Sequence, residues 1–214
     1  MTQPHFPTIA SATAPEKSGA VALLLLAAGA SSRMGQPKQL LAYRGRTLLR
    51  HAAETAVATG CGPIVLVTGA IHDALIAEID GLPLQAVHNP DWATGMASSI
   101  RAGLAAVAEA QPTAVLIMLG DQPLVTPELL RQLIAQQQLT QVPIVAAAYG
   151  DTLGVPAIFD QRMLAALQQL QGAQGANRLI SSLGAAVGRV AFPAGLFDVD
   201  TPEQYAALLQ ATAE

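Results

Sequence analysis

A chain of 214 residues that is 51% hydrophobic and only 12% charged holds enough apolar side chain to bury one core of ordinary size, which excludes a largely disordered protein. Its net charge of -4, with no local cluster of Lys and Arg, excludes a nucleic-acid surface, and no apolar run approaches the ~20 residues that cross a bilayer, which excludes a membrane-spanning segment. The single cysteine, Cys61, permits neither an internal disulfide nor a Cys-rich metal site; it suits a reducing cytoplasm and a structural role in the turn between Gly60 and Gly62.

Residues 1–19 carry Pro4, Pro7 and Pro15 among small polar residues and no charged start followed by an apolar stretch, so they read as a disordered tail and not as a secretory signal. Residues 20–214 then form one domain. Its first strand is predicted over about Ala20–Leu26, apolar on both faces as a central parallel strand is. Thr47 is placed to cap a helix that Gly60 ends. A strand at 63–68, a short helix at about 73–79, a strand at 84–88, a loop at 89–96 and a helix to about Ala110 follow in order. Ala114–Leu119 is the clearest buried strand, and Thr126-Pro127-Glu128 opens a helix to about Gln138. Strands at 144–148 and 157–159 are predicted on either side of the glycine-bearing segment 149–156. Helices at about 161–170 and 177–182, a strand at 187–192, and a capping box at Thr201-Pro202-Glu203-Gln204 complete the chain. This βα alternation predicts a single-domain, three-layer, open α/β fold with a mostly parallel sheet.

In open parallel sheets ligands bind beyond the carboxyl ends of the strands. Four suggestive groups fall at such ends: the loop after the first strand, Thr68-Gly69, Gly120-Asp121 and Asp198-Val199-Asp200. The first loop is neither a P-loop, because five residues separate Gly29 from Gly35 and Gln36 stands where Lys is required, nor a dinucleotide fingerprint. What remains is a stretch of small residues whose backbone can approach a phosphate, with Arg33 and Lys38 to neutralise it; an ordinary βα turn with two solvated cations is the alternative. Asp121, directly after an apolar strand, is placed either to hold Mg²⁺ together with nucleotide phosphates or to cap a turn. Asp198 and Asp200 share one face of an extended segment, and one of them is a candidate second metal ligand. His5, His51, His72 and His88 are scattered without ligand spacing, and no serine lies in a hydrolase elbow.

Three stretches carry a family resemblance: Leu26-Ala27-Ala28-Gly29-Ala30-Ser31-Ser32-Arg33-Met34-Gly35-Gln36-Pro37-Lys38, Gly120-Asp121-Gln122-Pro123 and Asp198-Val199-Asp200-Thr201-Pro202-Glu203. Over residues 20–210 the chain resembles the MobA-like nucleotidyltransferases, and among them the molybdenum cofactor cytidylyltransferases. The resemblance implies a Rossmann-like fold, a bound NTP with Mg²⁺, and transfer of NMP to a substrate phosphate with release of pyrophosphate. Carried over, it implies nucleotide contacts from Ala27, Ala28, Gly29, Ala30, Ser31, Ser32, Thr68, Gly69, Gly95 and Ser99, triphosphate contacts from Arg33 and Lys38, and metal ligation by Asp121 with Asp198 or Asp200. Ala28, where guanylyl-transferring relatives usually have a second glycine, implies CTP. Molybdopterin or the molybdenum cofactor is the implied acceptor, and a molybdenum hydroxylase apoprotein is a possible partner. Two departures, Gly172-Ala173-Gln174-Gly175-Ala176-Asn177 in place of a pattern with an acid and a cation and Gly154-Val155-Pro156 in place of Gly-His-Pro, fall where the acceptor is expected. They leave open a sugar-phosphate or polyol-phosphate acceptor, or a catalytically silent nucleotide-binding chaperone.

Overall fold

Strand β1 (Val21–Leu26) is buried along its whole length because both faces are covered by helices. Its side chains alternate between two separate cores, Leu23 and Leu25 in one and Ala22, Leu24 and Leu26 in the other, as the twofold period of a strand dictates. The computed structural model describes residues 20–31, 34–196 and 199–211. The expectations for residues 1–19 and for Ser32, Arg33 and Asp198 lie outside the described residues.

Seven strands form the main sheet in the order β5-β4-β1-β6-β8-β7-β9. Here β4 is Ile64–Thr68, β5 Gln85–His88, β6 Ala114–Leu119, β7 Ile144–Tyr149, β8 Thr152–Asp160 and β9 Gly188–Ala191. The pairings β1–β4, β1–β6, β4–β5 and β7–β9 are parallel, whereas β8 runs antiparallel to both β6 and β7. The fold is thus a single α/β domain with a mixed, mostly parallel sheet. Helices α1 (Leu48–Ala58) and α4 (Pro127–Thr140) place Leu49, Ala52, Leu129 and Leu133 in the core of one face. Helix α3 (Met96–Val107) with the shorter α5 (Leu164–Gln168) and α6 (Asn177–Leu183) covers the other through Ile100, Leu104, Leu167 and Ile180. Helix α2 (His72–Glu78) buries Leu75 in the first of these cores. A third, smaller core packs α7 (Pro202–Ala211), through Leu208, against Tyr43 and Leu48 beside the small hairpin of β2 (Ala42–Tyr43) and β3 (Arg46–Thr47).

Local chemistry fixes the helix starts as expected. The Thr47 hydroxyl accepts from Arg50 N, and the Thr126 hydroxyl accepts from Leu129 N at the head of α4, where Pro127 needs no amide partner. At α7 the Gln204 side chain accepts from Asp200 N and Thr201 N while Thr201 Oγ1 accepts from Gln204 N, a reciprocal cap. One expectation is corrected. The segment 149–156 is not a loop between two strands, because β8 begins already at Thr152 and forms a hairpin with β7. The pairing jumps from Ala146↔Ala157 to Ala147↔Gly154, so Val155 and Pro156 are accommodated in a bulge that relieves Pro156 of any ladder hydrogen bond. Cys61 is half-buried against the first core, and burial pushes its thiol up, away from reactivity. Among the described residues no helix is long and apolar enough to cross a membrane.

Candidate active site

β1 and β6 are neighbours, so the loops leaving their carboxyl ends must lie side by side. Gly120 N donates to Leu26 O at 3.0 Å, and Gly120 faces the Ala27 methyl so closely that a side chain there would crowd it. This contact sets Asp121 next to the Ala27–Gly29 stretch. A cavity of about 310 Å³ opens between them, floored by Leu26, Ala27, Ala28 and Leu119 and walled by Lys38 and Asp121 on one side and Trp92, Gly95, Met96 and Ser99 on the other.

The charged wall joins three distant parts of the chain. The short 3₁₀ helix Lys38–Leu40 presents the Lys38 ammonium to Asp121 Oδ2, with which it forms an ion pair, and to Asp200 Oδ1 at 2.8 Å. Burial alone would push the Lys38 ammonium down, but Asp121 and then Asp200 override it, and the group is held above the usual lysine range. Lys38 is therefore charged at any working pH. Asp121 Oδ1, by contrast, is buried without a hydrogen-bond partner among the described residues. Behind it, Gln122 Nε2 donates to Val155 O at 3.0 Å and His51 Nε2 donates to Pro123 O at 3.0 Å, so the loop is tied both to β8 and to α1. Burial of His51 pushes its imidazole down, favouring the neutral ring.

The neutral wall is local. Asn89, buried at the end of β5, donates to Ser98 Oγ at 2.8 Å and Ser99 Oγ at 3.1 Å, and its own Oδ1 accepts from Asp91 N at 3.0 Å. Gly95 adopts φ 118°, and a methyl there would lie 2.3 Å from Gly172 O, so only glycine permits the approach of the two loops. Gly69 is similar in the space it leaves, since a side chain would meet Ala28 O at 2.5 Å and the Trp92 side chain.

Of the residues proposed from sequence, Ala27, Ala28, Gly29, Lys38, Gly95, Ser99 and Asp121 converge on the cavity, and Asp200 joins them through Lys38. Ser31, at φ 55°, points its hydroxyl to Gln39 at 3.0 Å, and neither it nor the exposed Ala30 lines the cavity. Thr68 and Gly69 do not line the cavity: the Thr68 hydroxyl donates to Val87 O at 3.1 Å and accepts from His72 Nδ1 at 2.6 Å, while Gly69 packs behind Ala28. Gln39, Trp92 and Met96 were not singled out as ligand-facing, although all line the cavity.

The donor set fits a hard divalent cation. It consists of carboxylate oxygens, one of them buried and unpartnered, whereas among the described residues no group of three or more His, Cys, Asp and Glu forms a self-sufficient centre. Mg²⁺ is commonly held in this way, through one or two carboxylates with the rest of the shell left to phosphates and water.

Comparison with known proteins agrees with this geometry. The MobA-like NTP transferase domain matches residues 23–187. Nicotine blue oxidoreductase of Paenarthrobacter nicotinovorans is 48% identical over 101 residues, 47% of this chain and 48% of that protein. The molybdenum cofactor cytidylyltransferase of Escherichia coli is 32% identical over 118 residues, 53% of this chain and 58% of the relative. Both matches thus span only about half of the relative's own length. The crystal structure of Rv0371c from Mycobacterium tuberculosis superposes with a TM-score of 0.78 at 32% identity, covering 91% of this chain and all of that one, and the same protein has been solved in complex with manganese. The chain belongs to the MobA-like NTP transferase family and is a nucleotidyltransferase of its Rossmann-like α/β fold.

Proposed function

We propose that this nucleotidyltransferase moves CMP from CTP to the phosphate of molybdopterin or its molybdenum form, releasing pyrophosphate, in the cytoplasm and with Mg²⁺. The observation that carries the reading is the meeting of Lys38, Asp121 and Asp200 beside the small-residue loop at the ends of β1 and β6. Support for CTP comes from Ala28 in the loop, and support for the acceptor from the kinship with a molybdenum cofactor cytidylyltransferase.

In this reading an oxygen of the acceptor phosphate attacks the α-phosphorus of CTP, and the bond from that phosphorus to the bridging oxygen of pyrophosphate breaks. Phosphoryl transfer asks the protein chiefly to align the reactants and to neutralise developing charge, which needs no covalent nucleophile. Asp121, with Asp200 or Asp198, would hold Mg²⁺, which supplies Lewis-acid stabilisation of phosphate oxygens when bound. Lys38 contributes a permanent positive charge to the pyrophosphate that departs, and Arg33 is assigned the same task. Ala27, Ala28 and Gly29 offer close backbone approach to the nucleotide, and Gly95 and Ser99 close the opposite side.

The test is the purified protein with Mg²⁺, each of the four NTPs in turn, and molybdopterin or the molybdenum cofactor, following pyrophosphate and dinucleotide product. CTP should give the fastest release, and absence of pyrophosphate with every NTP would remove the reading. The neutral segment Gly172–Asn177 motivates a second arm with sugar and polyol phosphates as acceptors. A third arm adds a molybdenum hydroxylase apoprotein and measures nucleotide binding without turnover; because a 48%-identical relative is named nicotine blue oxidoreductase, reduction of nicotine blue is assayed alongside.

A further inference from the structure

The backbone of the loop after β1 has its polar groups sorted by type. All three carbonyls from Ala27 to Gly29 are engaged from elsewhere in the chain: Ala28 O accepts from Ala70 N at 3.2 Å, and Ala27 O and Gly29 O accept from Gln39 Nε2 at 3.4 and 2.8 Å. Ala27 N donates to Val67 O at 2.9 Å, whereas the N–H groups of Ala28, Gly29 and Ala30 have no protein partner among the described residues. At Ala28 and Gly29, where the acceptors are occupied and the donors free, the backbone favours anions.

Gln39 does most of this sorting. It is 3% exposed although polar, and its position in the fold is otherwise that of a core residue. The Ser31 hydroxyl donates to Gln39 Oε1 at 3.0 Å, which fixes the carboxamide so that its NH₂ faces the two carbonyls. A neutral amide suits the task. A lysine or arginine would compete with Lys38 for the phosphate, and a carboxylate would repel both the carbonyls and the ligand. Gln39 also follows Lys38 in one short 3₁₀ turn, so the turn that positions the ammonium also positions the loop.

We propose that Gln39 is the positioning residue that makes this loop a donor-only surface for the triphosphate of the NTP, by holding the Ala27 and Gly29 carbonyls away from it. The proposal rests on the reading of the cavity as an NTP site. Gln39 touches the loop and not the reacting atoms, so its loss should weaken nucleotide binding before it slows chemistry.

The experiment uses the full chain and titrates Mg²⁺·CTP calorimetrically into wild type, Gln39→Leu and the isosteric Gln39→Glu, with the Kd expressed per folded molecule and steady-state kinetics measured in parallel. Leaving the buried Ala27 carbonyl without a donor, and the part-buried Gly29 carbonyl free to turn toward the ligand, should weaken binding by about tenfold or more. The KM for CTP should rise in step, with kcat changed far less and the acceptor KM unchanged; a merely structural role would leave the per-molecule Kd alone. Ser31→Ala, which frees the carboxamide to turn, should give a smaller loss in the same direction. A Kd within about twofold of wild type in both Gln39 variants overturns the proposal while leaving the NTP reading intact. A wild type that binds none of the four NTPs overturns both.

Discussion

The two walls of the cavity are built by opposite means. The neutral wall is assembled from residues close in sequence: Asn89, Asp91, Ser98 and Ser99 bond to one another within ten positions, and the backbone contact of Gly95 with Gly172 closes it. The charged wall joins Lys38 to Asp121 and to Asp200, 162 positions away, through charge-assisted contacts between distant parts of the chain. A wall of short-range hydrogen bonds and close backbone contact has its shape before any ligand arrives. A wall of one ammonium between two carboxylates has a choice of partners, since a triphosphate can take the ammonium and a cation the carboxylates. The contrast is between a side shaped by local bonds and a side whose ammonium and carboxylates are held by one another.

Breaking the charged wall should have the largest effect. Asp121→Asn keeps the shape and removes the charge; pyrophosphate release should fall at least about 10²-fold, as loss of several kcal/mol of charge stabilisation implies, with little change in the melting temperature. Undiminished release would contradict the assignment of Asp121. Lys38→Met should cost about tenfold or more in kcat/KM for CTP, and it should also lower stability by removing the ion pairs that Lys38 makes with Asp121 and Asp200. The melting temperature reads the stability loss and kcat/KM the loss of charge at the phosphates, and both should shrink in concentrated salt, which screens the interactions the ammonium makes.

On the neutral wall, Gly95→Ala sets a methyl against Gly172 O at a positive φ and should destabilise by about 2 kcal/mol, or roughly 4–8 °C in melting temperature for a chain of this size. An unchanged melting temperature would show that the two loops are not held in this contact. The smallest effect concerns the support behind the charged wall. His51 is held below its ordinary value of 6.5 by burial, so between that value and its lower folded one the unfolded chain binds a proton that the folded chain does not. The stability it contributes is full above pH 6.5 and is lost as pH falls through the folded value. His51→Gln should flatten this acid-side loss, read as a smaller difference in melting temperature between about pH 7.5 and 5 than in wild type.

Strands β1 and β6 were legible because burial on both faces leaves an unbroken apolar run, and the first polar residue beyond such a run, Asp121, must then emerge at the sheet edge. The hairpin of β7 and β8 was not, because Gly154 and Pro156 are turn residues by composition and only the pairing with β7 shows that a bulge absorbs them. Thr68 sits at a strand end where ligands bind, yet a neighbouring carbonyl on β5 and the His72 ring claim its hydroxyl; sequence gives the end of a strand and not the direction of a side chain. Gln39 was missed for a related reason. A polar residue ahead of Leu40 and Leu41 reads as a surface position, and the signal that it is buried lies in two carbonyls ten and twelve residues earlier.

Trp92 gives the neutral wall one more property. It is the chain's only tryptophan, partly exposed and lining the cavity beside Ala93 and Met96. Its emission therefore originates at the mouth of the candidate site with no background from other indoles, so quenching or a blue shift on addition of nucleotide would follow occupancy optically, without a label and without turnover.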